Sequence, residues 1–395
     1  MSHSSSWLFC QVIDNFGDIG VCWRLAQNLR QEGPVVLWVD DLTRFQALCP
    51  QVDTTQWVQT VEQVTVVFWT AQTGQHVSLS ALPAPRVVIE AFACTLPTEV
   101  MAHAKVHNSL WLNLEYLSAE DWVAGVHLMP SLQPNGLAKY FYFPGFTPEL
   151  GGLLREPGLL ATRDALWADE ARQAQVMARL GLPPRRSMDD LTVFLFTYTS
   201  DALSQWLLAW QALARPITVW VTPGQSLDSL KPALGLAADD VLKAGDCHEL
   251  GQVRVCVLPF VAQADFDYLL WLADLNIIRG EDSFVRALWA GKPYLWHIYQ
   301  QDEDAHLPKL AAFWAQAFGQ ATTAETMSLR RAHEALSLPL NADQACSVAE
   351  WTHKWAKLLS LLPHWQIMAA EYSRAQASLP SLRQKLTAFV KNKLE

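Results

Sequence analysis

Short apolar runs alternate with helical patterns along this chain, stop, and then begin again. Residues 7–13 read as a strand, followed by a glycine-containing loop and a helix over 21–31. Further strands are expected at 35–39, 64–69, 86–91, 110–115 and 140–143. Strands separated by helical stretches build βαβ units and a parallel sheet. Residues 151–190 break the pattern with Gly151-Gly152, Pro157-Gly158, a polar helical stretch and Pro183-Pro184-Arg185-Arg186. The alternation resumes with strands at 191–198, 217–222, 253–259, 275–278 and 294–298, and helices at 202–213, 266–273 and 283–290. Two such arrays predict an α/β protein of two Rossmann-like domains facing a cleft. Ligands of such sheets bind beyond the carboxyl ends of the strands. The expected division is 1–185, 186–365, and a helical segment 366–395 that packs back on the first domain.

The length of 395 residues exceeds one ordinary core, which agrees with two domains. With 51% hydrophobic and 17% charged residues, disorder is excluded. A net charge of −10 argues against a nucleic-acid partner, because phosphate backbones need a basic face. No apolar run nears the roughly 20 residues needed to span a bilayer. Residues 1–6 lack the basic start and apolar run of a signal peptide. The seven cysteines have no CxxC spacing and are odd in number, so free thiols in a reducing cytoplasm are expected. Of the 18 tryptophans, Trp206 and Trp210 stand at helical spacing and read as core.

The first chemical motif is Asp14-Asn15-Phe16-Gly17-Asp18-Ile19-Gly20, after the first strand and before a helix. Its glycines, Gly17 and Gly20, let backbone turn tightly beside a ligand. Asp14 and Asp18 put two carboxylates at the carboxyl edge of the sheet. Asp18 as a plain helix cap is the structural alternative. The loop is not the full GxGxxG fingerprint.

The second motif is Arg279-Gly280-Glu281-Asp282-Ser283, which opens a helix after a strand. Helix-start amides favour a diphosphate there. Arg279 adds a guanidinium fork and Ser283 a hydroxyl. Glu281 can accept from sugar or ribose hydroxyls. Capping by Asp282 or Ser283 is the alternative. Just upstream, Phe260 and Phe266 can stack on a base while Gln263 reads its edge, or all three can be packing. Asp265-Phe266-Asp267 has the form of a metal-binding DxD, but it begins an amphipathic helix, where the carboxylates need not converge. His103 and His107 lack an HExxH glutamate, and Asp302-Glu303-Asp304 reads as a solvated turn. No GxSxG elbow or P-loop is present.

In this order the motifs resemble the bacterial protein-arginine rhamnosyltransferases that mature elongation factor P. The segments are 12–24 (VIDNFGDIGVCWR), 88–97 (VIEAFACTLP), 110–120 (LWLNLEYLSAE), 127–130 (HLMP), 278–287 (IRGEDSFVRA), 291–299 (GKPYLWHIY) and 301–306 (QDEDAH). The resemblance runs from about 7 to about 314. It implies a GT-B fold, with acceptor on the N-terminal and nucleotide-sugar on the C-terminal domain. It further implies inverting transfer of L-rhamnose from dTDP-β-L-rhamnose to an arginine of elongation factor P, with no metal and no cofactor. By position, Asp18 matches a general base and Asp14 a second essential aspartate. Tyr198, Phe260, Gln263, Phe266, Arg279, Glu281, Asp282 and Ser283 match donor-site residues. Glu281 is also placed with the catalytic aspartates, and Asn15 and Phe16 complete the acceptor loop. Glu115 lies in a matching motif without an assigned role. Other readings are a nucleotide-sugar epimerase or small-molecule glycosyltransferase on this fold, and a non-catalytic adaptor of elongation factor P.

Overall fold

The computed structural model describes residues 5–14, 16–319 and 323–394, so Asn15 lies outside the described residues. The chain divides into two compact units, Met1–Leu159 with Gln376–Glu395, and Leu160–Ala375.

The first unit holds an eight-stranded sheet in the order β3-β4-β2-β1-β5-β6-β8-β7. Its strands are β1 (Ser6–Cys10), β2 (Val35–Val39), β3 (Val58–Val61), β4 (Val64–Phe68), β5 (Val87–Ala91), β6 (Leu110–Leu114), β7 (Pro130–Leu132) and β8 (Ala138–Tyr142). Side chains alternate across a sheet that is covered on both faces, which explains why β1, β2, β5 and β6 are mostly apolar and buried throughout. Leu8, Leu37, Ile89 and Leu112 meet Ile19, Trp23 and Leu25 of the helix Gly17–Leu29. Trp7, Trp38, Val88 and Trp111 face the other way, toward Val100 and Ala104 of the helix Thr98–Val106. Leu382, Leu386 and Val390 of the last helix, Leu382–Leu394, join the first of these layers.

The second unit has a six-stranded sheet in the order β11-β12-β10-β9-β13-β14. Its strands are β9 (Leu191–Phe196), β10 (Ile217–Val221), β11 (Cys247–Leu250), β12 (Val253–Val257), β13 (Leu275–Arg279) and β14 (Tyr294–His297). Trp206 and Trp210 pack with Trp351 and Trp355, with ring centroids 5.0–5.5 Å apart for three of the pairs. These four indoles join the helix Ala202–Gln211 to the helix Val348–Ser360.

Two sequence expectations change. The passage between units falls at 159/160 rather than 185/186, and the return at 375/376 rather than 365/366. The helices Leu159–Trp167 and Glu170–Arg179 are bound into the second unit. Arg163 Nη1 donates to the Trp289 carbonyl at 2.6 Å, Trp167 Nε1 to that of Trp271 at 3.0 Å, and Arg179 makes a fork on Asp265. The Pro-Pro-Arg-Arg run lies inside that unit, with Arg186 paired to buried Asp190. The thiols differ too, since Cys247 and Cys256 form a disulfide. They face each other in the antiparallel β11–β12 pair, which brings their Cα atoms to 4.3 Å. Cys10, Cys22, Cys49, Cys94 and Cys346 are free.

Candidate functional site

Each sheet has one place where successive strands leave in opposite directions, and both motifs lie there. In the first unit β1 sits between β2 and β5. Chain leaving β1 forms the Asp14–Gly20 loop and enters the helix Gly17–Leu29. The Gly17 amide donates to the Asp14 carbonyl at 2.6 Å. A Cβ at Gly17 would lie 2.8 Å from Asp14 Oδ2, so glycine is what lets that carboxylate fold over the helix start. Asp18 is 3% exposed, and its Oδ2 accepts the amides of Ile13 and Asp14, each at 2.8 Å.

The helix-cap alternative for Asp18 therefore does not hold as stated. Phe16 occupies the cap position with no side-chain cap bond. Asp18 stands in the first turn and reaches back to the preceding loop, which fixes the plane of its carboxylate. Phe16 is half-buried and its carbonyl accepts the Gly20 amide at 2.9 Å.

Neighbouring strand ends add groups to which sequence reasoning gave no role. Past β5, Phe92 and Ala93 are both left-handed, with φ of 57° and 56°. Such backbone costs energy in non-glycine residues and persists only where its surroundings impose it. Buried Asn113 imposes it here, because its Oδ1 accepts the Ala93 amide at 3.0 Å. The Asn113 side-chain amide also donates to Glu115 at 2.5 Å. Burial raises the Glu115 carboxyl above its usual range. Tyr116 stacks on Phe92 at 4.4 Å.

In the second unit the reversal lies between β9 and β13, which pair directly. Arg279 ends β13, and Gly280 then takes φ +65°, a left-handed turn that glycine adopts without strain. Trp296 Nε1 donates to the Gly280 carbonyl at 2.9 Å. The Arg279 guanidinium lies 4.7 Å from the Phe196 ring and 5.0 Å from that of Tyr198, and it donates to Gln225. Glu281 directly precedes the helix Asp282–Ala290 and pairs with Lys309 at 2.8 Å. Gln263 donates to Asp282 at 3.2 Å. Ser283 is half-buried in the first helical turn.

The aromatic residues divide. Phe266 packs edgewise on Phe194 and Phe196 at 5.7 and 5.5 Å, while Phe260 is 49% exposed just past β12. Tyr198 meets His297 and Tyr299 edge to face. Burial lowers the His297 imidazole to about 4, so it is neutral. The DxD carboxylates take separate partners, Asp265 with Arg179 and Asp267 with Arg286. Among the described residues no group of three or more His, Cys, Asp or Glu is placed to hold a metal ion. His103 stacks on Trp7, and Asp302–Asp304 is exposed.

Each unit thus carries its charged motif at the reversal of its sheet, Asp14 and Asp18 in the first and Arg279, Glu281 and Asp282 at a helix start in the second. The chain is similar to a solved MurG from Acinetobacter baumannii, with a TM-score of 0.52 and 12% identity over 98% of this chain and 99% of that one. This fold class is the α/β GT-B glycosyltransferase fold.

A narrower match follows. Residues 7–391 fit the family model described as Elongation-Factor P (EF-P) rhamnosyltransferase EarP. A protein-arginine rhamnosyltransferase of Neisseria meningitidis serogroup B is 43% identical over 386 residues, 97% of this chain and 96% of that relative. A solved structure described as the structural basis for EarP-mediated arginine glycosylation of translation elongation factor EF-P matches at TM-score 0.68. Its identity is 29%, over 99% of this chain and 100% of that one. The chain belongs to the elongation factor P rhamnosyltransferase family, enzymes that move rhamnose to a protein arginine.

Proposed function

We propose that this chain transfers L-rhamnose from dTDP-β-L-rhamnose to an arginine side chain of elongation factor P, with inversion and without a resident metal ion or cofactor. The first unit holds the acceptor and the second the donor. The reaction takes place in the cytoplasm, where a translation factor works. Among the described residues no helix is long and apolar enough to cross a membrane.

The observation that carries this reading is the turn that brings Asp14 to the start of the helix holding Asp18, whose buried carboxylate accepts two loop amides through one oxygen. Arginine has a pKa of about 12.5–13.8 and delocalised lone pairs, so it is a poor nucleophile. Amide hydrogen bonds hold the Asp18 carboxylate in place, and a carboxylate is a far weaker base than a neutral guanidine. It cannot strip the guanidinium beforehand. Instead, Asp14 and Asp18 orient and polarise the guanidinium. A nitrogen attacks the anomeric carbon opposite the diphosphate, the C–N bond forms as the C–O bond breaks, and the proton passes to Asp18. Arg279, Ser283 and the helix-start amides receive the departing diphosphate, and preorganised donors of this kind stabilise developing charge. Phe260, Phe266, Tyr198 and Gln263 surround the nucleoside, and Asp282 is set by Gln263.

The experiment is NMR of the product linkage made from dTDP-β-L-rhamnose with and without a chelator. The expected product is an α-linked rhamnosyl arginine formed equally in both. A β-linkage contradicts inversion, and loss of product under chelation contradicts the metal-free step.

A further inference from the structure

The donor loop carries an electrostatic problem that its own residues do not solve. Arg279 is its single cation, while Glu281 and Asp282 are both acidic. The helix start supplies only about half a positive charge. A diphosphate gains further negative charge as the glycosidic bond breaks. One guanidinium set against two carboxylates would repel that anion, at a site partly removed from water where charges interact more strongly than in bulk.

Lys309 changes this balance. It lies in the helix His306–Ala317, well apart in sequence from the loop, and its Nζ is 2.8 Å from Glu281 Oε1. The Lys309 and Glu281 side chains are only 13% and 19% exposed, so water screens the pair weakly. Asp282 accepts from the side-chain amide of Gln263 at 3.2 Å. Arg286, one turn further along the same helix, pairs with buried Asp267. Lys309 therefore offsets the charge of Glu281.

We infer that Lys309 is a positioning residue for the diphosphate. By pairing with Glu281 it removes a repulsive charge from the helix start and fixes that carboxylate's orientation. The inference rests on the proposed nucleotide-sugar donor, and it deepens that reading by adding a cation from a separate helix.

The test is calorimetry on the full chain with dTDP, inorganic pyrophosphate and thymidine. Lys309→Met is expected to weaken both dTDP and pyrophosphate about tenfold or more, while thymidine affinity is unchanged. Lys309→Arg should restore diphosphate binding. Adding Glu281→Gln to Lys309→Met should recover part of the loss, because the unpaired carboxylate is then gone. A purely structural lysine would lower the melting temperature, weaken thymidine as well, and gain nothing from Glu281→Gln. That result, or unchanged dTDP and pyrophosphate binding in Lys309→Met, overturns the inference. If the parent chain binds pyrophosphate but not dTDP, the nucleotide reading fails while the lysine effect is still read on pyrophosphate. Binding of neither overturns both.

Discussion

Replacing Asp18 by asparagine separates its chemical role from its structural one. The carboxylate is buried and accepts two loop amides at 2.8 Å through one oxygen. The asparagine side chain has nearly the same shape and retains an acceptor oxygen for both amides. At these two amides the fold then loses the difference between a charged and a neutral acceptor, about 1 kcal/mol. Alanine is different, since it leaves two part-buried loop amides without that acceptor, at up to roughly 1–3 kcal/mol each. That is a large share of a typical stability of about 5–15 kcal/mol. Removing a positioned proton acceptor lowers turnover by about 10²–10⁴-fold. The assay follows deoxyhexose gain on elongation factor P by intact mass, with calorimetry for dTDP affinity and a thermal melt. Asp18→Asn should melt near the parent, bind dTDP as the parent does, and turn over at least about a hundredfold more slowly. Turnover comparable to the parent would refute the general-base role. Melting as low as Asp18→Ala would mean that the negative charge itself holds the loop.

Three further outcomes follow from the same geometry. Gly17→Ala places a methyl 2.8 Å from Asp14 Oδ2, the far end of a flexible side chain. The fold should survive while transfer falls, toward the roughly 10²-fold that an ångström of misplacement can cost, with dTDP affinity unchanged. Arg279→Ala should weaken dTDP about 10–100-fold by calorimetry, from the ~1.5–3 kcal/mol of hydrogen bonds to a charged group, and unchanged affinity would remove Arg279 from the diphosphate site. His333 is fully buried among Trp314, Phe318 and Trp365, and burial lowers its imidazole to about 3. The unfolded chain binds its proton first, so stability is retained above pH ~6.5 and lost as pH falls toward 3. His333→Phe should flatten that acid limb in urea melts recorded across pH, and an unaltered slope would show that other groups set it.

The apolar strands buried on both faces, β1, β2, β5, β6, β9, β10 and β13, were legible in the sequence because each is flanked by two neighbours. The strands that left no trace are β3, β7 and β11. All three are sheet edges paired antiparallel with one neighbour. An edge strand has little apolar surface to bury, and Pro130 at the start of β7 removes a donor besides. The β3–β4 turn runs through Glu62 and Gln63 in left-handed backbone, without the glycine or asparagine that marks such a hairpin. Cys247 lies on one of these unseen edges, which is why its bond to Cys256 was not foreseen.

The site was legible in unequal parts. Loops that follow a strand and open a helix announce themselves by position, so Asp14–Gly20 and Arg279–Ser283 stood out together with their charges. Partners brought in by folding did not. Lys309 is an unremarkable helical lysine in sequence, and Asn113 shows its purpose only once β6 lies beside β5. The Pro-Pro-Arg-Arg run misled for a related reason. It carries turn residues, yet Arg186 and Asp190 tie it into the second unit.

The most direct test of the account is site-localised mass spectrometry after incubating the purified chain with dTDP-β-L-rhamnose and elongation factor P. The account predicts one added deoxyhexose, mapped to a single arginine nitrogen, and its absence with Asp18→Asn. An acceptor recovered unmodified while the nucleotide-sugar is consumed, or a deoxyhexose on any other residue type, would contradict it.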